Sequence, residues 1–96
     1  MKICKSYKER LLGLMFQKEI KEDYLFPNCR SIHTFFMKLH IDIIAINKEG
    51  KILTIYRNVP PNKIIIAKKG TYAIIETKSY SSYQEDQIIN YKRIES

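Results

Sequence analysis

Ile41-Asp42-Ile43-Ile44-Ala45-Ile46, followed by Asn47-Lys48-Glu49-Gly50 and then Lys51 to Arg57, is the stretch whose reading decides the fold. Its β-branched run favours extended backbone, because branched side chains pack well on a pleated surface. On the pleat, Ile41, Ile43 and Ala45 share one face and Asp42, Ile44 and Ile46 the other, so neither face is wholly polar. A strand of this kind is expected in the middle of a sheet, covered on both sides. The turn residues after it, with Gly50 suited to a left-handed position, predict a β-hairpin into Lys51 to Arg57.

The same reading extends in both directions. Upstream, Tyr24-Leu25-Phe26 predicts a brief strand stopped at Pro27-Asn28, and Ile32 to Lys38 a longer aromatic and β-branched strand. Downstream, Pro60-Pro61 removes two ladder donors and forces a loop before a strand at Ile64 to Ala67. Lys68-Lys69-Gly70 then turns the chain into a strand at Tyr72 to Thr77. Ser79 to Asp86 reads as irregular, and Gln87 to Ile94 as a last strand in preference to a short helix. Near the N-terminus, Ser6-Tyr7-Lys8-Glu9 has the form of a capping box, Tyr7, Leu11, Leu14 and Met15 recur at helical spacing, and Gly13 marks the expected end. A helix that short needs a larger surface to dock on. The expectation is therefore a mainly β fold, a small β-sandwich or open barrel with one short N-terminal helix packed outside. With 96 residues it is one domain, since a chain of this length buries only about two-thirds of its unfolded surface.

Composition bounds the function. The longest apolar runs, Ile43 to Ile46 and Ile64 to Ala67, fall far below the roughly twenty residues that cross a bilayer as a helix. Met1 to Ser6 lacks the apolar core of a secretory signal, so the chain is expected in the cytoplasm, with Cys4 and Cys29 as reduced thiols. The net charge of +7 favours anionic partners through long-range attraction. Lysine greatly outnumbers arginine, however, and the basic residues are dispersed in short runs, as on a solvated surface. Without a recognisable nucleic-acid motif, the charge supports no more than weak polyanion binding through dispersed lysines.

Two stretches carry a resemblance. Arg10-Leu11-Leu12-Gly13-Leu14-Met15-Phe16 is similar to an arginine followed after one or two residues by Gly-Leu-Met. Ile32-His33-Thr34-Phe35-Phe36-Met37-Lys38, then Ile41-Asp42-Ile43 and the Gly50 hairpin, resembles an aromatic run with Met and a base, Ile-Asp-Ile and a glycine turn. Leu25-Phe26-Pro27, Val59-Pro60-Pro61 and Tyr72 to Glu76 fall in matching order. Together they resemble the bacterial and archaeal family called domain of unknown function 192, across nearly the whole chain. Thr77-Lys78-Ser79-Tyr80 stands where that family usually has a small-residue Ala-Gly segment. The resemblance implies a compact, mainly β fold with a helix packed outside, and it brings no activity with it.

The candidate site residues are His33, Met37, Lys38 and Asp42. A carboxylate at Asp42, leaning into an apolar face, must be hydrogen-bonded or ion-paired, and Lys38 is its nearest partner in sequence. The structural expectation is that Asp42 accepts backbone N–H groups of the turn around His40. Phe35, Phe36 and Met37 have the character of a pocket lining or a core. Cys29 and His33 are too far apart on an extended strand to share a metal, and no close-spaced ligand pair exists, so neither a metal nor a cofactor is expected. No nucleophile motif or glycine-rich phosphate loop is present. These residues describe a small non-enzymatic binding or accessory domain, with a small molecule or a protein as its partner, acting as a monomer or weak oligomer. The alternative is a small enzyme using Asp42 and His33 as acid-base groups, which requires the two side chains to converge in one concave site.

Overall fold

The structure is a computed structural model and describes residues 1–6, 19–35 and 37–90. Among these residues, seven strands form two sheets. They are β1 (Lys2–Ile3), β2 (Tyr24–Phe26), β3 (Ser31–His33), β4 (Ile41–Ile46), β5 (Ile52–Val59), β6 (Ile64–Ile66) and β7 (Ala73–Lys78). The larger sheet has the order β1-β2-β7-β4-β5, and β3 pairs with β6 in a separate ribbon. All pairings are antiparallel except β1 with β2. No helix occurs among the described residues, and the expected N-terminal helix lies outside them.

The fold grows from β4, which forms where its β-branched run predicted and is buried along its whole length between β7 and β5. Ile41, Ile43 and Ala45 join Ile74 of β7, and Tyr24 and Phe26 of β2, on one face of the large sheet. The ribbon covers this face, contributing Ile32 and Ile65. Leu25, Ile44, Ile46, Ile52, Ala73 and Ile75 form the opposite core, over which Tyr83 and Ile89 of the C-terminal segment pack. The result is sandwich-like: a five-stranded sheet with a ribbon on one face and an irregular strap on the other.

Two expectations about the elements change, and the hairpin expectation holds. The strand expected over Ile32 to Lys38 stops at His33. There the Thr34 hydroxyl accepts from the Lys63 amide (2.8 Å) and donates to the Pro60 carbonyl (2.8 Å). The Met37 amide bends back to the Thr34 carbonyl (3.3 Å). A threonine that satisfies backbone groups through its side chain competes with the ladder and ends the strand. The last strand expected over Gln87 to Ile94 is reduced, among the described residues, to a single bridge between Ile88 and Lys51. The hairpin after β4 forms at Asn47-Lys48-Glu49-Gly50, with Gly50 at φ +86° and the Asn47 carboxamide oxygen accepting the Glu49 and Lys51 amides.

Candidate functional site

Asp42 is fully buried, and its surroundings follow from an irregularity in β5. Ile41 pairs with Val59 but Ile43 with Tyr56, so two residues, Arg57 and Asn58, oppose the single Asp42. This is a β-bulge, which re-aims side chains at the cost of regular pairing. Asn58 takes a left-handed backbone (φ +53°), a conformation that asparagine tolerates better than most residues. The bulge turns both the Asn58 amide and the Arg57 side chain toward the carboxylate.

Asp42 Oδ1 accepts the Asn58 N–H (2.8 Å), and Oδ2 accepts Arg57 Nη1 (2.6 Å), the Ser81 N–H (2.9 Å) and the Ser81 hydroxyl (3.1 Å). Burial alone pushes the carboxyl pKa up. The Asn58 N–H, the Arg57 guanidinium and the Tyr80 and Ser81 backbone more than offset it, holding Asp42 below the ordinary carboxylate value. Arg57 extends the network by donating to the carbonyls of Ser81 (2.8 Å) and Tyr83. Tyr83 in turn donates its phenol to Asp23, whose other oxygen accepts the Thr77 hydroxyl (2.5 Å). Burial first, then the Asp23 hydrogen bond and charge, push the Tyr83 phenol well above its ordinary value. Asp42 thus ties the β5 bulge to the turn after β7 and, through Arg57 and Tyr83, straps the C-terminal segment across one core.

The four sequence candidates do not assemble. Met37 is buried in the core beneath the ribbon, on the face of the large sheet opposite Asp42. Lys38 is exposed, and the cation on Asp42 is Arg57 rather than Lys38. The N–H donors to Asp42 come from Asn58 and Ser81, not from the turn around His40. His33 sits on the outer side of the ribbon, because register alternation places Ile32 and Ile65 inward and Ser31, His33, Ile64 and Ile66 outward. His33 and Asp42 are therefore separated by the ribbon's own thickness and the large sheet. Sequence reasoning missed Arg57, Asn58, Ser81, Tyr83 and Asp23, which only the fold brings together. Glu76, fully buried on β7 opposite Tyr24 and Ile43, was read only as part of a strand.

His33 does have company. Its ring stacks on Phe35, with centroids 4.9 Å apart. Beside them Ile64 and Ile66 are 64% and 71% exposed. The depression between His33, Phe35 and Ile64 holds only about 120 Å3, well under the roughly 300 Å3 at which small-molecule pockets begin. It is part of a surface patch. A separate cleft of about 300 Å3 lies where Lys5 and Ser6 meet the Asn28 to Arg30 loop, and Arg30 Nε is anchored there on the Ala67 carbonyl (3.0 Å). Among the described residues no three His, Cys, Asp or Glu side chains gather as a metal site, and no helix is long and apolar enough to cross a membrane.

Comparison with known proteins places this geometry. The fold is shared with a crystal structure of a protein of unknown function from Novosphingobium aromaticivorans DSM 12444. The TM-score is 0.68 at 22% identity, over 81% of this chain and 61% of that one. A crystal structure from Sinorhizobium meliloti 1021, described as a "putative transcription regulator", gives a TM-score of 0.69 at 20% identity, over 97% of this chain and 71% of that one. At such identities the likeness shows the fold alone, and the chain spans about three-fifths of the first of these relatives. No functionally curated protein matches it. Residues 1–88 match the model of the family described as "Uncharacterized ACR", and the chain belongs to that family, domain of unknown function 192.

Proposed function

We propose that this chain is a non-enzymatic binding domain whose recognition surface is the outer face of the β3 and β6 ribbon, with a protein as its partner. The observation that carries this reading is the pair Ile64 and Ile66, mostly exposed side by side next to Phe35 and His33. Isolated exposed apolar residues are ordinary, but a contiguous patch on a regular element marks an interaction surface. The ribbon's inner face already supplies Ile32 and Ile65 to the core, so folding does not need the outer isoleucines. Asp42 is absorbed by structure, and His33 is directed elsewhere, which removes the geometric basis for the acid-base pair. A shallow patch without a deep cavity suits a macromolecule better than a small ligand. The description of the Sinorhizobium protein as a transcription regulator brings nucleic acid to mind, but phosphate recognition rests on cations, and this surface is apolar at its centre.

The test is the double substitution Ile64→Lys with Ile66→Lys, which leaves both inward-facing ribbon residues in place. The expected outcome is an unchanged melting temperature together with loss of binding of the apolar probe dye ANS. Dye binding retained in the folded variant would show that the apolar surface lies elsewhere and would end this reading.

A further inference from the structure

The ribbon's hydrogen-bonding pattern identifies what kind of partner its outer face takes. The Thr34 amide donates to the Lys63 carbonyl and the Ala67 amide to the Arg30 carbonyl, both at 2.8 Å. These single bonds flank the pair of Ile32 with Ile65, and the alternation of an antiparallel ladder makes Ile32 with Ile65 the hydrogen-bonded pair of the ribbon. Ser31 with Ile66 and His33 with Ile64 are the alternate pairs, whose backbone groups point away from the partner strand. On β6, therefore, the N–H and C=O of Ile64 and Ile66 are directed outward along an edge, where no backbone bond joins them to any described residue. The side chains of the same two residues stand on the ribbon's outer face. One short strand thus offers two donors, two acceptors and two exposed isoleucines together.

Lysines bracket this edge: Lys63 precedes it, and Lys68 and Lys69 follow it, all exposed. Natural edge strands are commonly guarded by lysine against self-pairing. Two copies of this chain, each at +7, would bring these lysines together across a shared edge, where like charges repel. The charge instead complements an acidic partner.

We propose, building on the docking face above, that β6 takes an extended, acid-flanked segment of a partner protein as an added strand. Its backbone pairs with Ile64 and Ile66, its alternate apolar residues cover their side chains, and its flanking carboxylates meet Lys63, Lys68 and Lys69. This is strand addition, in which main-chain bonds supply affinity and alternate side chains supply selectivity.

The probe is the synthetic peptide Glu-Asp-Ile-Thr-Val-Thr-Ile-Asp-Glu, with the same core flanked by lysines as its control. Binding is read by fluorescence anisotropy and by amide hydrogen exchange of the full chain. The acidic peptide is expected to bind, to weaken with salt, and to slow exchange of the Ile64 and Ile66 amides; the lysine-flanked peptide should bind at least about tenfold more weakly. Ile66→Pro removes one outward donor without touching a ladder bond, a placement that edge strands accept. It should weaken the acidic peptide roughly two- to tenfold while the domain stays folded. The Ile64→Lys and Ile66→Lys double variant should abolish binding.

Sensitivity to the double lysine variant, with full affinity in Ile66→Pro and no exchange protection, would keep the docking face and overturn strand addition. Equal binding of both peptides would overturn the acidic partner, and tighter binding of an oligonucleotide than of the peptide would overturn a protein partner. A stable dimer in solution that protects the Ile64 and Ile66 amides would replace the partner with a second copy. Absence of peptide binding to the wild-type chain would overturn strand addition, leaving the docking face to the dye experiment.

Discussion

Replacing Asp42 with asparagine changes one atom in a fully buried group, and the geometry allows its cost to be worked out. An amide has one acceptor oxygen where the carboxylate has two. Placed at the Oδ2 position, that oxygen keeps Ser81 and Arg57, and the new NH2 then faces the Asn58 N–H, donor against donor. A buried donor left without an acceptor costs about 1–3 kcal/mol. Placed the other way, three donors confront the NH2, which is worse. Arg57 also loses its anion, so a charge-assisted bond falls to an ordinary one, a difference of about 1 kcal/mol. The Arg57 side chain is 36% exposed, and its bonds to the Ser81 and Tyr83 carbonyls remain, so solvent and these acceptors keep the second contribution small. The sum is about 3 kcal/mol, a large share of the roughly 5–15 kcal/mol that holds a small domain folded. For a chain of this size it corresponds to a fall of roughly 12–24 °C in melting temperature. Thermal melting followed by circular dichroism at neutral pH measures it. A variant melting within about 2 °C of the parent would refute the structural role of Asp42, because a substitution that removes only chemistry has no reason to unfold the domain.

Arg57→Ala should cost about 2 kcal/mol in urea denaturation, and in the double variant with Asp42→Asn the losses should fall short of their sum, since both break one network. The depressed Asp42 pKa fixes a sign for acid: its stabilisation is complete above the ordinary value of 3.8 and is lost as pH falls through the lower folded value. Asp42→Asn should accordingly flatten the acid limb of a stability-against-pH curve measured by urea titration. The raised Tyr83 pKa works in the opposite direction. Its contribution is intact below the ordinary 10.0 and is lost as pH rises toward the higher folded value, so Tyr83→Phe should cost about 1 kcal/mol at neutral pH and remove part of the alkaline fall.

Where the sequence was legible, one local rule decided the outcome. β4 formed over Ile41–Ile46 because every residue but Asp42 and Ala45 is an isoleucine, and the hairpin followed because Asn47 and Gly50 have the turn chemistry it requires. Where legibility failed, a distant contact overrode local preference. Phe35 and Met37 read as a continuation of β3, but Thr34 spends its hydroxyl on Pro60 and Lys63, some twenty-six and twenty-nine residues away, and the strand stops. The partner of Asp42 was sought at Lys38, four residues away. It proved to be Arg57, fifteen away, brought there by a bulge that no residue of β5 announces except Asn58, whose tolerance of a left-handed backbone is a weak signal.

The same contrast explains why the candidate site moved. A buried carboxylate among isoleucines attracts attention because it is costly, and the cost is what obliges a fold to surround it with donors. Asp42 has four, drawn from the β5 bulge and the turn after β7, and each bond that satisfies it makes it less available to a ligand. Ile64 and Ile66 send no such signal, since an isoleucine in a short apolar run reads as core. What distinguishes them is the ribbon register, which turns Ile65 inward against the core and its two neighbours outward together with their backbone groups. A strand of three residues covered on one face leaves its other face and its edge without a backbone partner among the described residues. On the binding reading proposed above, that surface, rather than the charged residue in the core, is where binding is gained without loss of stability.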